Sequence, residues 1–245
     1  MTQNAAEKIK PYSDEGSKKE QIAQMFDNIS GNYDLLNHLL SLNIDKAWRR
    51  KAVKLLKPYN PKSLLDVATG TGDFAVELMA LNPSSVTGID ISAGMLEVGK
   101  RKMTKRKLDQ IIHLQLGDAE NLPFENNHFD GITVAFGVRN FENLVAGLTD
   151  MHRVLKKGYP VAILEFSKPR KFPMKQVYNA YFKYILPSIG KLISKDSRAY
   201  TYLPASVNAF PEGEAFLRIL EDVGYSNIRE HRLTFGIATI YLAEK

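Results

Sequence analysis

The strongest constraint on this chain is an alternation between residues 62 and 166. Five short, nearly continuous apolar runs occupy residues 63–68, 85–90, 111–116, 129–136 and 161–166. Unbroken apolar runs of this length suit parallel strands covered on both faces, because a half-exposed strand would alternate with polar residues. Helical patterns lie between them at about 73–81, 92–106 and 141–156. In the last, Phe141, Leu144, Val145, Leu148, His152 and Leu155 form one stripe, and Gly158 follows where a C-terminal cap belongs. Strand–helix alternation of this kind predicts an α/β, doubly wound sheet with right-handed crossovers.

Both ends depart from the alternation. Residues 1–16 are polar, contain Pro11 and Gly16, and read as a flexible N-terminal arm. The following residues, 17–60, read as a helical cap. Ile22, Met25, Phe26 and Ile29 fall at helical spacing, Leu35, Leu36, Leu39 and Leu40 make a short face, and Trp48, Ala52, Leu55 and Leu56 make another. At the other end, Pro211 opens a helix carrying Phe216, Ile219, Leu220 and Val223, with Gly224 at its end. Residues 227–234 and 237–243 read as two strands joined through Thr234, Phe235 and Gly236. A link that short cannot cross over between parallel neighbours, so one of the two runs antiparallel. At 245 residues, 44% hydrophobic and 24% charged, residues 17–245 are expected to form a single domain.

Composition excludes several chemistries. The chain has no cysteine, which removes disulfides, thiolate zinc sites, iron–sulfur clusters and a cysteine nucleophile. His38, His113, His128, His152 and His231 show no ligand spacing, and no metal is expected. No apolar run reaches the length needed to cross a bilayer, and the first residues lack the apolar stretch of a signal peptide, so a cytoplasmic protein is expected.

In a doubly wound sheet, ligands bind beyond the carboxyl ends of the strands. The first strand runs into Asp66-Val67-Ala68-Thr69-Gly70-Thr71-Gly72-Asp73, whose glycines let backbone approach a ligand without interference from a Cβ. The second ends in Asp90, 18 residues after Gly72, where a carboxylate can accept both hydroxyl hydrogens of a ribose. The third ends in Gly117-Asp118-Ala119-Glu120-Asn121-Leu122-Pro123-Phe124, which offers a carboxylate to an adenine amino group beside an apolar wall. Gly70-x-Gly72-x-x-Ala75 also fits a dinucleotide fingerprint, so a nicotinamide-dependent oxidoreductase is a competing reading. The Gly117–Phe124 block, the long N-terminal cap and the antiparallel tail together resemble the class I S-adenosylmethionine-dependent methyltransferases, whose seventh strand is antiparallel.

The resemblance extends to one family. Tyr33-Asp34-Leu35-Leu36-Asn37-His38-Leu39-Leu40-Ser41 with Trp48, Phe136-Gly137-Val138-Arg139-Asn140, Arg153-Val154-Leu155-Lys156-Lys157-Gly158 with Leu164-Glu165-Phe166-Ser167-Lys168-Pro169, and Tyr202-Leu203, Ser206 and Phe210-Pro211 resemble signatures of the ubiquinone/menaquinone C-methyltransferases. The chain departs from them in carrying Asp45 where the family usually has His, Asn43 for Gly, Lys157 for Pro and Tyr159 for Gly, and Ala68 and Thr69 where many methyltransferases carry smaller residues or glycine.

The resemblance implies methylation of a ring carbon on a reduced polyprenyl quinone. Demethylmenaquinol is the favoured substrate, with a methoxy-benzoquinol precursor of ubiquinone, or both quinols, as the alternative and methylation of RNA as a distant one. It implies S-adenosylmethionine held by Gly70, Thr71 and Gly72 at the methionine end, with Asp66 acting indirectly, Asp90 on the ribose, and Asp118 with Ala119 on the adenine. Arg139 is expected to stabilise a phenolate, directly or through water, with Asn140 orienting; a permanently charged guanidinium suits that task but not direct general-base work. Tyr33, Asn37, Trp48 and Tyr202 are expected at the substrate, although Tyr33 and Trp48 also read as core aromatics.

The net charge of +6 is not spread evenly. Residues 168–198 hold eight Lys and Arg against Asp196 alone, and so carry more than the whole excess. The insertion over 168–204 also carries Phe172, Tyr178, Tyr181, Phe182 and Tyr184, with Val177, Tyr181, Tyr184 and Ile185 on one face. Basic charge beside an aromatic face suits transient contact with an anionic membrane, at the inner leaflet for a cytoplasmic protein. The same pattern would serve an amphipathic helix packed on the domain. Lys100-Arg101-Lys102 and Lys105-Arg106-Lys107 lie on a helix away from the expected site and read as a solvated face, so no nucleic-acid partner is expected.

Overall fold

The computed structural model describes residues 5–35, 41, 43–181, 184 and 198–245. Its centre is a seven-stranded sheet of β1 (Ser63–Val67), β2 (Ser85–Asp90), β3 (Ile112–Leu116), β4 (Gly131–Ala135), β5 (Pro160–Phe166), β6 (Ser226–Leu233) and β7 (Ala238–Glu244). The spatial order is β3-β2-β1-β4-β5-β7-β6. β1 to β5 are mutually parallel, and β7 runs antiparallel to both of its neighbours. The fold is α/β with the antiparallel last strand that the short tail link requires.

The parallel core forms because successive side chains leave opposite faces of a strand and both faces find apolar partners. Leu65, Val67, Ile132, Val134, Val161 and Ile163 join a cluster with Leu148 and Met151 of α5 (Leu144–Val154) and Phe216 and Leu220 of α8 (Glu214–Val223). Their neighbours Leu64, Ala162 and Leu164 join the opposite cluster. That cluster holds Trp48, Ala52 and Leu56 of α2 (Ile44–Leu56), Phe74 and Leu78 of α3 (Asp73–Leu78), and Leu96 and Met103 of α4 (Ala93–Arg106). The helical run expected over 141–156 is shorter than its stripe suggests. Phe141 leaves the helix in extended backbone, and Asn143 caps α5 by accepting the Ala146 N–H at 2.9 Å.

A smaller cluster joins the two ends of the chain. Ile22 and Met25 of α1 (Lys18–Ile29) pack with Ala199 and Tyr202 of α7 (Arg198–Ala209). Residues 5–16, expected as a loose arm, lie against the domain. Ala6 is buried, Glu7 accepts the Leu144 N–H at 3.0 Å, and Gln21 accepts the N–H groups of Tyr12 and Ser13. The fixing group is Lys18, a fully buried lysine whose Nζ donates to the carbonyls of Ala6, Arg139 and Phe141 at 2.8, 3.0 and 3.0 Å. Polar composition hides this packing, because one buried cation organises it and not an apolar stripe.

Chain order reverses between β1 and β4, which are neighbours although β2 and β3 intervene in sequence. Loops leaving β1 and β4 therefore part in opposite directions and open a crevice at their carboxyl ends.

Candidate functional site

Among the described residues, two adjoining cavities lie in the crevice. The larger, about 660 Å³ and open to solvent, is lined by Gly70 after β1, Asp90 at the end of β2, Asp118 and Ala119 after β3, and Phe136 and Asn140 after β4. Lys19, Ile22 and Phe26 of α1 and Tyr33 form its roof. The smaller, about 360 Å³, is lined by Asp66, Thr69, Thr71 and Asp73 of the glycine turn, with Phe74 and with Arg49 of α2. Tyr33, Ala68, Gly70, Ala135 and Phe136 face both.

The backbone at this junction is unusual. Gly70 and Gly72 have φ of +57° and +82°, which only glycine adopts readily. Ala68 and Phe136, immediately beyond β1 and β4, also have positive φ, +51° and +58°. Two side-chain-bearing residues in the left-handed region flank the switch point, and such strain clusters at functional sites.

The acids differ in their surroundings. Asp90 accepts the Gly70 N–H at 2.7 Å and the Ser92 N–H at 2.9 Å, so the glycine turn is tied to the end of β2. Burial pushes its carboxyl up to about 6 against the pull of those backbone donors. Asp66 accepts the Thr69 and Thr133 hydroxyls at 2.6 and 2.7 Å, and burial likewise holds it at about 6. Asp118 pairs with Lys19 and accepts the Glu120 N–H at 3.0 Å. The Thr71 hydroxyl donates to Asp34 at 2.5 Å and accepts from Lys102 at 2.9 Å.

The expected residues divide clearly. Gly70, Asp90, Asp118, Ala119, Tyr33 and Asn140 come together at the larger cavity, and Asp66 and Thr71 join Gly70 and Tyr33 at the smaller. Gly72 lines neither; it caps α3 and lies where an added Cβ would stand 2.7 Å from Met103 Cε. Trp48 is a core aromatic. It is buried, packs on Phe136 and Phe166, and donates its indole N–H to Thr234 Oγ1 at 2.8 Å. Tyr202 is buried one layer behind the cleft and donates its hydroxyl to Asn140 Oδ1 at 3.0 Å. Asn37 lies outside the described residues.

Arg139, expected to stabilise a phenolate, is buried and paired. It lies in a 3₁₀ turn after β4, only 7% exposed, and its Nη1 meets Glu165 Oε1 at 2.7 Å and the Phe136 carbonyl. Its guanidinium carbon stands 5.4 Å from the centre of the Phe166 ring. Glu165 on β5 is completely buried, and desolvation raises its carboxyl above the usual range despite the pull of Arg139. Arg139 Nε is buried without a hydrogen-bond partner among the described residues.

Sequence reasoning missed Glu165, Lys18, Lys19 and Arg49 as parts of the site, and Lys102, read as part of a solvated face, instead pairs with Asp34 and Asp73 beside Thr71 at 2.6 and 2.7 Å. Glu165 stood inside a recognised segment, and its position at the carboxyl end of a buried strand was the available signal. The lysines carried no such signal, since their partners are distant in sequence.

These acids at successive strand ends, with an apolar wall of Ile22, Phe26 and Ala119, suit a nucleoside bearing a charged tail. The ubiE/COQ5 methyltransferase family matches residues 14–245. The chain belongs to the ubiE/COQ5 methyltransferase family. A curated demethylmenaquinone methyltransferase of Bacteroides fragilis is 52% identical over 240 residues, 98% of each chain. A ubiquinone/menaquinone biosynthesis C-methyltransferase of Geotalea daltonii is 50% identical, covering 93% of this chain and 97% of its own. A Thermotoga maritima S-adenosylmethionine-dependent methyltransferase, described as a possible histamine N-methyltransferase, shares the fold with a TM-score of 0.63 at 17% identity, over 91% of this chain and 99% of its own. As a member of the ubiE/COQ5 family, the protein is a methyltransferase that uses S-adenosylmethionine. The donor set fits that cofactor: carboxylates for hydroxyl and amino groups, and exposed backbone at Gly70. The nicotinamide reading falls with the family assignment.

Proposed function

We propose that this methyltransferase transfers a methyl group to a ring carbon of a polyprenyl hydroquinone, with demethylmenaquinol as its substrate. The Bacteroides fragilis relative bears that activity in its name. The Geotalea daltonii relative, nearly as similar, is named for both quinone pathways, which keeps the benzoquinol precursor of ubiquinone as the second reading. One observation carries the chemistry: the cleft holding the nucleoside acids also reaches Phe136, Gly137 and Asn140, next to the buried Arg139–Glu165 pair.

Asp90 would accept the ribose hydroxyls, and Asp118 with the Ala119 backbone the adenine edge. Thr71 would reach the methionine end by exchanging one of its present partners, and Asp66 would act there through Thr69. Tyr33, at the junction of the cavities, would cover the reacting centre. When bound, the cofactor would supply an electrophilic methyl on a sulfonium and leave as S-adenosylhomocysteine, with the proton displaced from the ring carbon passing to water, so the protein's work is alignment and activation of the ring. A hydroquinol carbon is nucleophilic when a ring hydroxyl is ionised or nearly so. Arg139 Nε supplies the donor for that oxygen, directly or through water. Glu165 fixes the guanidinium and balances its charge, so the activation is a directed hydrogen bond more than a free positive field. Asn140, held by Tyr202, orients the ring oxygen. Holding donor and carbon in line contributes several kcal/mol on its own, up to about 7–11 at the ideal limit.

The basic segment is part of the proposal. Phe172, Val177 and Tyr184 are 82%, 56% and 63% exposed, and Lys171 and Lys175 beside them are exposed as well. Tyr178, on the opposite face of α6 (Met174–Ala180), is buried. Lys183 and Ile185 lie outside the described residues. Charge and exposed apolar surface together support docking on an anionic membrane, from which the lipid quinol would enter. Among the described residues no helix is long and apolar enough to cross a membrane. Lys171→Glu with Lys175→Glu is expected to abolish co-flotation with anionic vesicles while sparing turnover of a short-chain quinol; undiminished flotation would remove the membrane contact.

Quinones extracted from a strain lacking the protein test the substrate. Accumulation of demethylmenaquinone is the expected result, and an unchanged quinone profile would defeat the proposal.

A further inference from the structure

The smaller cavity has a composition that the nucleoside reading does not use. One side is acidic, with Asp66, which accepts the Thr69 and Thr133 hydroxyls, and Asp73, which pairs with Lys102 at 2.7 Å. The other holds a single guanidinium, Arg49. Arg49 comes from the N-terminal cap, one turn after Asp45 on α2, and is 6% exposed. Its Nη1 is paired with the Asp45 carboxylate, itself 3% exposed and accepting the Ser41 hydroxyl at 2.6 Å. The guanidinium carbon lies 6.0 Å from the centre of the Phe136 ring, which faces both cavities. A cation is thus aimed from the cap into a cavity otherwise built from the glycine turn. The cost of burying it is offset by an anion on its own helix.

We propose that Arg49 is the receptor for the α-carboxylate of the cofactor's amino-acid end, and that Asp45 is its positioning residue. The assignment rests on the cofactor reading of the larger cavity. With the adenosyl part between Asp90 and Asp118, the sulfonium comes to the junction at Gly70, Tyr33 and Phe136. Among the described residues, the adjoining space for the amino-acid tail is the smaller cavity. That tail is a zwitterion, and the smaller cavity offers both charges, with Asp66 and the Lys102-paired Asp73 on the side of the ammonium and a guanidinium for the carboxylate. Arginine suits this task because its planar fork leaves donors for a second carboxylate after Asp45 has taken Nη1. The assignment also gives Asp45 a function. Its carboxylate, one helical turn earlier, holds the Arg49 guanidinium in place.

The test separates the carboxylate from the rest of the ligand. Binding of S-adenosylmethionine and of decarboxylated S-adenosylmethionine, which keeps the ammonium and lacks only the carboxylate, is measured by calorimetry on the full chain and on Arg49→Gln. The native chain is expected to favour the carboxylated ligand by about 10- to 100-fold, the range of a charge-assisted pair. Arg49→Gln is expected to bring that preference within about threefold and to leave affinity for the decarboxylated ligand unchanged. Asp45→Asn is expected to reduce the preference partly, and Arg49→Lys to retain part of it. A preference that survives in Arg49→Gln, or an equal loss for both ligands, would overturn the assignment; the second result would make Arg49 a purely structural clamp. If Arg49→Gln does not fold, the Asp45→Asn and Arg49→Lys ratios decide, and native-like preference in both would refute the proposal. A native chain that binds neither ligand would refute the cofactor site itself, which is a different failure.

Discussion

Replacing Glu165 by Gln should damage this protein more than any comparable change at an ionisable residue of the cleft. The carboxylate is fully buried and meets an arginine that is only 7% exposed, at 2.7 Å. Gln keeps the shape and an acceptor but removes the charge, leaving a guanidinium that cannot lose its proton in the interior. Breaking a buried pair in this way costs about 3–5 kcal/mol. For a domain of this size, each kcal/mol lowers Tm by about 2–4 °C, so a fall of roughly 6–20 °C is expected. Urea unfolding followed through Trp48, which is buried and the only tryptophan, reads the free energy directly. Arg139→Met should cost less, because the abandoned Glu165 can neutralise itself by taking a proton. That cost should shrink further as pH falls, since protonation removes the isolated charge. Glu165→Leu with Arg139→Met should be milder than Glu165→Gln alone, because a buried pair is often replaceable by packed apolar groups. A cost below about 1 kcal/mol for Glu165→Gln, or a double variant less stable than that single one, would refute the view of a mutually compensated buried pair.

The Asp90 carboxyl lies near 6 because of burial, and its ionised form is the one that accepts two ribose hydroxyls. Affinity for S-adenosylhomocysteine should therefore weaken as pH falls through about 6; Asp90→Asn should bind weakly at every pH, and a native profile flat from pH 5 to 8 would contradict the role. Asp90 and Asp66, both raised, bind protons more tightly folded than unfolded, so each removes stability as pH rises from about 4 to about 6, and Asp66→Asn should flatten that slope in urea melts. Lys18→Met leaves the carbonyls of Ala6, Arg139 and Phe141 without their donor. It should cost about 1–3 kcal/mol and speed proteolysis within residues 5–17, whereas an unchanged cleavage rate would show that the cation does not hold that segment.

Most of the sheet was legible because its signal is local. β1, β2, β4 and β5 are largely apolar runs bounded by turn residues, whereas β3, at the edge of the sheet, alternates and exposes His113, Gln115 and Leu116; the brevity of the link after residue 233 dictated an antiparallel neighbour. Asp90, Asp118 and the glycine turn were equally readable, because a switch-point sheet makes strand ends the place to look. What escaped notice depends on partners far apart in the chain. Trp48 could serve core or substrate until its N–H was found on Thr234, nearly two hundred residues away. Arg139 read only as a phenolate stabiliser, because nothing local announces Glu165 across the β4–β5 pairing. The N-terminal segment looked loose because its anchor is a lysine, a residue that composition assigns to the surface. Asp45 looked like a defect in a signature, whereas one turn along the helix it meets Arg49.

The central claim is that this cleft brings the methyl of S-adenosylmethionine to a ring carbon of a quinol. It is tested most directly by incubating the purified protein with methyl-labelled S-adenosylmethionine and demethylmenaquinol kept reduced, then locating the label by mass spectrometry and NMR. The account predicts label on the quinone ring carbon in native protein, and its loss in Arg139→Met with S-adenosylhomocysteine binding retained. Label on a ring oxygen, or no label with either quinol although the cofactor binds, would contradict it.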